Sequence, residues 1–397
     1  MMRPLWVDVE DSRYPPLRSD LNVDIAIVGA GLSGMGAAWA LRDSGLRVAV
    51  IEERTVGSGA SGRNGGFVLA GPAMSYCDAV ANCGTDVAEE LWRLTLDNNR
   101  SMADFVTRYR IECGFLRRGS MSLAVSNEEM GLLFRCHDDL EAAGISTAIT
   151  DRDGLPIPFD EIYVGGIYYP GNGEMNSGMF ARGIARVAAE SVSIFEGTAV
   201  REIAADGSWR LQTDGGAVRA DAVILATNAY TSTLLPGIPI APTRGQVLAT
   251  TSLGRVIVPF PMYANFGYQY WRQTADGRLV VGGWRDTDVG AEVGTEERLH
   301  DDIQGHLLAF ARTVAGEDIT IEYRWAGIMG FTPDQFPLVG SVPGHDGLFM
   351  AAGYSGHGVS MAFTCGGLAA ACARGVAPRI PTVFSPGRFA RTPSDHA

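Results

Sequence analysis

The sequence predicts an α/β fold with a second, antiparallel portion, and three observations predict it. A strand, a G-x-G-x-x-G turn, a helix and a second strand ending in an acid follow one another between Val23 and Glu52. A second glycine-rich junction, GYSGHGVS, stands between a strand and a helix near the C-terminus. Between these two, the stretch from Pro242 to Trp284 alternates as strands do and contains the hairpin turn Ala275-Asp276-Gly277.

In the first stretch, Val23–Val28 reads as a buried strand, the helix runs to about Arg42, and Gly45 stops it. Gly29 permits the tight turn, Gly31 lets the backbone approach a pyrophosphate, and Gly34 lets the helix pack closely on the sheet. The helix N-terminus then presents N–H groups and a positive dipole end to phosphate. The second strand, Arg47–Ile51, ends at Glu52, the interval at which a carboxylate meets adenosine ribose hydroxyls. Strand, helix, strand and acid together predict dinucleotide binding; a tight turn in an unrelated α/β protein is the alternative.

The remaining elements follow in chain order. Residues 1–22 read as an irregular lead-in kept extended by Pro15 and Pro16. After Glu52, ERTVGSGASGRNGGF is too rich in glycine for regular structure and reads as backbone folded over a ligand. Residues 84–110 have helical spacing with Leu91, Leu94, Met102, Phe105 and Val106 on one face. Gly119–Val125 reads as a strand and Glu128–Ala143 as an amphipathic helix whose His137 is solvated. A helix is expected from Asn176 to Glu190, then strands Ser193–Ile203 and Trp209–Thr213 with a hairpin turn at Asp214-Gly215-Gly216. Asp221–Thr227 is a buried strand expected beside Val23–Val28. In GYQYWRQT, Tyr268, Tyr270, Trp271 and Arg272 alternate, so that one face lines a pocket while the other joins the core. Glu296–Ala315 is amphipathic, with His300 and His306 on its surface. The strand Leu348–Ala352 leads into GYSGHGVS and a helix to about Arg374, whose N-terminus suits partial negative charge.

Composition narrows the function. With 397 residues, 46% hydrophobic and 19% charged, the chain is long enough for two globular domains. A net charge of −13 and a pI of about 4.9 argue against nucleic-acid binding. The N-terminus lacks a signal peptide's apolar core, and no apolar run is long enough to span a bilayer. The six cysteines have no CxxC or zinc spacing and fit a reducing cytoplasm.

The pieces DIAIVGAGLSGMGAAWAL, GSGASGRNGGF, ILATNAY, PTRGQ and AGYSGHGV, in that order, resemble the FAD-dependent amino-acid and amine oxidoreductases of the D-amino-acid oxidase/sarcosine oxidase superfamily. GASGRNGGF with GYSGHGV most resembles its γ-glutamylputrescine oxidase-like members. The resemblance covers almost the whole chain. It implies a dinucleotide-binding (glutathione-reductase-like) FAD domain of residues 1–80, 155–240 and 331–397. An interleaved α+β substrate domain of residues 81–154 and 241–330 would be built on an antiparallel sheet.

Carried onto this sequence, the resemblance puts Gly29, Gly31 and Gly34 at the pyrophosphate, Glu52 at the ribose, Arg54 near the adenine side and Val200 at the adenine. Ser61, Arg63, Asn64 and Gly65 follow toward the flavin ring, which Gly356, His357, Gly358 and Val359 meet. It implies oxidation of a C–N bond in an amine or amino acid by hydride transfer to flavin N5, giving an imine that hydrolyses. Oxygen or another electron acceptor then reoxidises the flavin. His357, Tyr270 and Arg272 are the candidate catalytic residues, His357 as a tuning or positioning group rather than an obligatory base.

Departures from the family pattern bear on the substrate. Sarcosine oxidases place a lysine where this chain has Ser360, and another near flavin N5 where a gapless reading puts Val280. Neither lysine is visible, which points to an amine without an α-carboxylate, although Arg244 or Arg272, if either points at the flavin, could bind a carboxylate there or at the far end of a longer substrate. The cysteine used for covalent flavin attachment reads Gly327 here, and GSGASGRNGGF has no histidine, so FAD is expected to be non-covalent. The alternatives are an oxidase of an α-amino or N-methyl amino acid, a dehydrogenase subunit passing electrons to a protein partner, and an NAD-binding dehydrogenase or non-catalytic dinucleotide-binding module, against which the second glycine junction argues.

Overall fold

The computed structural model describes residues 3–7, 13–157 and 160–389, and the chain passes alternately between two compact units. One takes residues 8–61, 178–242 and 329–397, the other 1–7, 62–177 and 243–328.

The first unit is organised on the strand Leu21–Val28, which pairs in parallel with Val48–Ile51 on one side and Gly216–Leu225 on the other. Ile25, Ala26, Ile27 and Val28 are all buried, as a continuous apolar run between covered faces requires. Ser193–Phe195 and Leu348–Ala352 extend the sheet in parallel, and Leu338–Ser341 closes it antiparallel. The expected placement of DAVILAT beside the first strand is therefore observed. The expected single strand Ser193–Ile203 is instead two, Ser193–Phe195 and Val200–Asp206. Gly197, at φ 58°, turns the chain between them. There the Gly197 and Thr198 amides donate to the Arg54 and Glu52 carbonyls.

The second unit holds a mixed sheet. Ala241–Ser252, Arg278–Gly283, Gln269–Gln273 and Met262–Ala264 pair antiparallel in succession. Ser120–Ala124, Gly165–Tyr169 and Ala148–Asp151 do likewise, and the two halves join in parallel through Met262–Ala264 and Ser120–Ala124. One core lies around Trp271, Tyr163 and Leu307, another around Trp6, Trp325 and Val280. Residues 62–80 and 155–177 cluster with this unit and not with the nucleotide-type sheet, unlike the expected boundaries. The reason is pairing: Phe67–Val68 bonds Gly173–Glu174, and Gly165–Tyr169 is itself a sheet member.

Three smaller expectations change. The lead-in is not wholly irregular, since Arg3 bridges Arg324 and Trp6 is buried. His137 lies 2.7 Å from the Thr147 hydroxyl and is not simply solvated. The helix expected from Glu296 begins at Asp301, and His300 caps it by accepting from the Ile303 amide. Among the described residues, no helix is long and apolar enough to cross a membrane.

Candidate functional site

In the first unit, each glycine of the first junction is held by a close approach. Gly29 has φ +98°, and a Cβ there would stand 2.8 Å from the Ala226 carbonyl oxygen. A Cβ on Gly34 would meet the Gly29 oxygen at 1.8 Å, so helix and turn cannot separate to admit one. Gly31 is the N-cap of the helix Leu32–Leu41 and contributes no side-chain cap. Ser61 Oγ accepts from the Leu32 amide at 2.9 Å and would lie 3.0 Å from a Cβ on Gly31. The first-turn N–H groups have no intrahelical acceptors, which is the donor set a phosphate needs.

Glu52 follows the second strand. Its carboxylate accepts from the Ala30 amide at 2.8 Å and the Arg54 amide at 2.9 Å, spanning the glycine turn and its own loop. Desolvation pushes its pKa up, against those two N–H bonds and Arg54. Glu196, which the sequence reading passed over, performs a similar task nearby. It is buried and accepts from the Val56, Arg13 and Tyr14 amides. Its only sequence signal is a lone acid directly after the apolar strand SIF. Val200 opens the strand Val200–Asp206 just beyond it.

The second junction is brought against the first. The helix Ala362–Ala373 packs on Leu32–Leu41 so closely that a Cβ on Gly366 would lie 2.0 Å from the Ser33 oxygen, and one on Gly36 2.3 Å from the Phe363 oxygen. The Tyr354 hydroxyl meets Ser33 Oγ. The segment does not pass directly from strand to α-helix: Gly358–Ser360 form a 3-10 turn with His357 at its cap, and the helix begins at Ala362. The His357 amide donates to the Tyr354 carbonyl, and Gly356 sits at φ +91°. Gly29, Gly31, Gly34, Glu52, Ser61 and the 356–359 turn thus belong to one unit.

Arg63, Asn64, Gly65, Tyr270 and Arg272 belong to the other unit. Arg63 is buried and lies 3.1 Å from the Glu297 carboxylate. Asn64 Oδ1 accepts from the Gly66 amide, and its Nδ2 donates to Ser177 Oγ. The rings of Phe67 and Tyr270 lie against Gly65, 2.7 and 2.9 Å from where a Cβ would be. Tyr270, Phe67 and Tyr263 touch one another, with centroids 4.8 to 5.9 Å apart. Burial raises the pKa of both tyrosines, which keeps their hydroxyls protonated.

The other aromatic candidates separate. Trp271 is fully buried against Tyr163 and Phe310, and Tyr268 lies under the Arg285 guanidinium. Arg272 is buried and spends its donors on the Gly65 and Met175 carbonyls and on Glu174. Arg244, also buried, bonds the Glu296 and Ala291 carbonyls and pairs with Glu292. Val280 lies in the core with Trp6 and Trp325. Among the described residues, no group of acids, histidines and cysteines is arranged to hold a metal.

A parallel sheet with a glycine turn, a strand-terminal acid and a second glycine junction on its helices defines a dinucleotide-binding oxidoreductase fold. The family model described as FAD dependent oxidoreductase matches residues 24–372, and the chain belongs to that family. FAD is accordingly its cofactor, and the residues above fit it: close backbone approach, first-turn amides and an acid at the end of the second strand. The chain is 27% identical over 410 residues to gamma-glutamylputrescine oxidoreductase of Escherichia coli, covering 96% of this chain and 93% of that protein. It is 28% identical over 356 residues to glycine oxidase of Geobacillus kaustophilus, covering 85% and 89%. The crystal structure of that glycine oxidase superposes with a TM-score of 0.81 at 24% identity, covering 93% of this chain and 99% of that one. L-proline dehydrogenase from P. horikoshii gives 0.79 at 22%, covering 94% and 98%.

Proposed function

We propose that the protein oxidises a C–N bond in a small amine that lacks an α-carboxylate, a γ-glutamylputrescine-like compound. The observation that carries this reading is the engagement of Arg244 and Arg272. Both point their donors at protein carbonyls and carboxylates. A buried carboxylate without a cation loses several kcal/mol of solvation, on the order of what a substrate can supply. The partly exposed rings of Tyr263 and Tyr270, with Phe67 behind them, offer an apolar wall for an alkyl chain and a π-face for an ammonium. The relative named gamma-glutamylputrescine oxidoreductase supports the same reading.

The unit with the two glycine junctions is the FAD-binding part and the antiparallel-sheet unit the substrate part. Gly29, Gly31, Gly34 and Ser61 hold the pyrophosphate, Glu52 the ribose, and Arg54 and Val200 the adenine end. Arg63, Asn64 and Gly65 follow toward the flavin, and Gly356, His357, Gly358 and Val359 meet it. Bound FAD supplies the acceptor for a hydride equivalent from the carbon beside nitrogen. The chain's residues bind, orient and exclude water, and His357 holds a position from which it tunes the flavin or orients substrate. FAD is held without a covalent bond, because Gly327 offers no thiol and residues 57–67 contain no histidine. The free thiols of all six cysteines favour a reducing compartment, the cytoplasm.

The test is anaerobic bleaching of the flavin by acylated polyamines, simple alkylamines, sarcosine, glycine and D- and L-amino acids. The amine reading fails if an α-amino acid bleaches far faster than every carboxylate-free amine, the outcome the glycine oxidase likeness favours. Acid precipitation of the same sample is expected to release the yellow colour. Slow oxygen uptake with rapid dye reduction would assign reoxidation to a protein partner.

A further inference from the structure

Three consecutive carbonyls in the second unit are each captured by a buried side chain from a different part of the chain. Trp325 Nε1 donates to the Arg63 oxygen at 3.1 Å, Trp6 Nε1 to the Asn64 oxygen at 2.6 Å, and Arg272 Nε to the Gly65 oxygen at 2.6 Å. The three donors form one cluster. The Arg272 guanidinium lies 4.8 Å over the Trp6 ring, and the two indoles meet edge to face at 6.4 Å. All three side chains are buried, and both indoles share one core cluster with Val247, Ala249 and Val280.

A trans peptide points its C=O and the next N–H in opposite directions. Drawing the carbonyls of Arg63, Asn64 and Gly65 into the cluster therefore turns the amides of Asn64, Gly65 and Gly66 away from it. Asn64 Oδ1 takes the Gly66 amide at 2.7 Å. Gly66 admits nothing larger, since a Cβ would lie 2.5 Å from Arg272 Nη2. The loop is thus braced from one side, with the amides of Asn64 and Gly65 on the other and that of Gly66 held within the loop.

We infer that Trp6, Trp325 and Arg272 are positioning residues, a clamp that pre-sets the 63–65 backbone so that its amides are presented to FAD. The inference rests on the assignment of this segment to the cofactor proposed above. It gives Arg272 a role through Gly65 and not on substrate. It also gives the N-terminal Trp6, which lies outside every recognisable motif, a function in cofactor binding.

The experiment replaces each indole donor by a ring without one. Trp6→Phe and Trp325→Phe, stripped of FAD and titrated with it, are expected to bind FAD about tenfold more weakly, the loss of one buried hydrogen bond. Their visible flavin bands shift. Trp209→Phe is the control: it removes an equivalent bond, 2.9 Å to the Asp346 carbonyl, in the other unit. Unchanged affinity and spectrum in both variants, or an equal loss in Trp209→Phe, would overturn the clamp while leaving the cofactor assignment intact. A wild-type protein that binds no FAD removes both. If the variants do not fold, amide exchange on wild type decides. The Gly66 amide is expected to be protected before FAD is added, and free exchange there overturns the inference.

Discussion

The Tyr354 hydroxyl lies 2.6 Å from Ser33 Oγ, joining two glycine-rich turns that are 321 residues apart in sequence. Ser33 sits inside G-A-G-L-S-G and Tyr354 inside G-Y-S-G-H-G, so this bond ties the first helix to the turn that follows the strand Leu348–Ala352. Both side chains are buried. Tyr354→Phe or Ser33→Ala leaves one hydroxyl without its partner and is expected to cost about 1–3 kcal/mol of unfolding free energy. In a denaturant-melt double-mutant cycle the pair should cost less than the sum of the single changes. Strict additivity would show that the contact contributes nothing.

The helix pair behind that bond is close because of its glycines. Gly366→Ala drives a methyl to within 2.0 Å of the Ser33 carbonyl oxygen, a backbone atom that cannot swing aside. The expected loss is at least about 1–3 kcal/mol, the cost of overpacking. Gly305, on the helix Asp301–Ala315, has nothing within 4 Å of a Cβ. Gly305→Ala should stabilise by about 0.5–1 kcal/mol. Thermal melts of the two variants should move in opposite directions.

Arg244 and Glu292 form a buried pair, both side chains almost fully enclosed. Arg244→Met strands the Glu292 carboxylate without its cation, leaving it the Gln246 amide at 3.1 Å. A loss of about 3–5 kcal/mol is expected, with much of it restored by Arg244→Met combined with Glu292→Leu. If the double variant is no more stable than the single one, the charge is not what the arginine offsets.

Alkaline pH should destabilise the protein. Burial raises the pKa of Tyr354, Tyr263 and Tyr270, and pushes the Cys113 thiol up to about 11. A raised folded pKa means that the native state holds protons the unfolded chain releases. The contribution is complete below the unfolded values, near 8.5 for a thiol and 10 for a phenol, and is lost as pH rises above them. Urea midpoints should therefore be flat from about pH 6 to 8 and fall above about pH 9 to 10. A midpoint that rises over that upper range contradicts the assignment.

His357 caps the turn Gly358–Ser360 between two glycines, and the proposed function sets this turn against the flavin. His357→Ala is expected to retain FAD and to slow anaerobic flavin reduction about ten- to a hundredfold, within the span of a positioned polar group. Stopped-flow bleaching at the wild-type rate would take His357 out of the site.

The strand–turn–helix–strand unit was legible in the sequence because its determinants are local. Gly34 acts on the Gly29 oxygen five residues before it, Gly29 on the neighbouring strand's end and Gly31 on Ser61 in the loop that follows the unit, and Glu52 closes the unit by bonding Ala30, 22 residues before it. The same holds for the second junction, although its 3-10 turn was not visible in GYSGHGVS. Alternation in GYQYWRQT put Trp271 and Tyr270 on opposite faces, but both faces meet a core, and what each packs against depended on strand pairing. Trp271 opposes Met262 and Val281 and went inside, while Tyr270 opposes Tyr263 and Gly282. The arginines were undecidable for the same reason, since a guanidinium's partners are wherever the fold brings carbonyls and carboxylates. The bracing of residues 63–65 lay furthest from the sequence. Its donors come from 58, 207 and 262 residues away. Only packing the two indoles and the guanidinium into one core could aim them at consecutive carbonyls, because a hydrogen bond across such a distance leaves no periodicity to read.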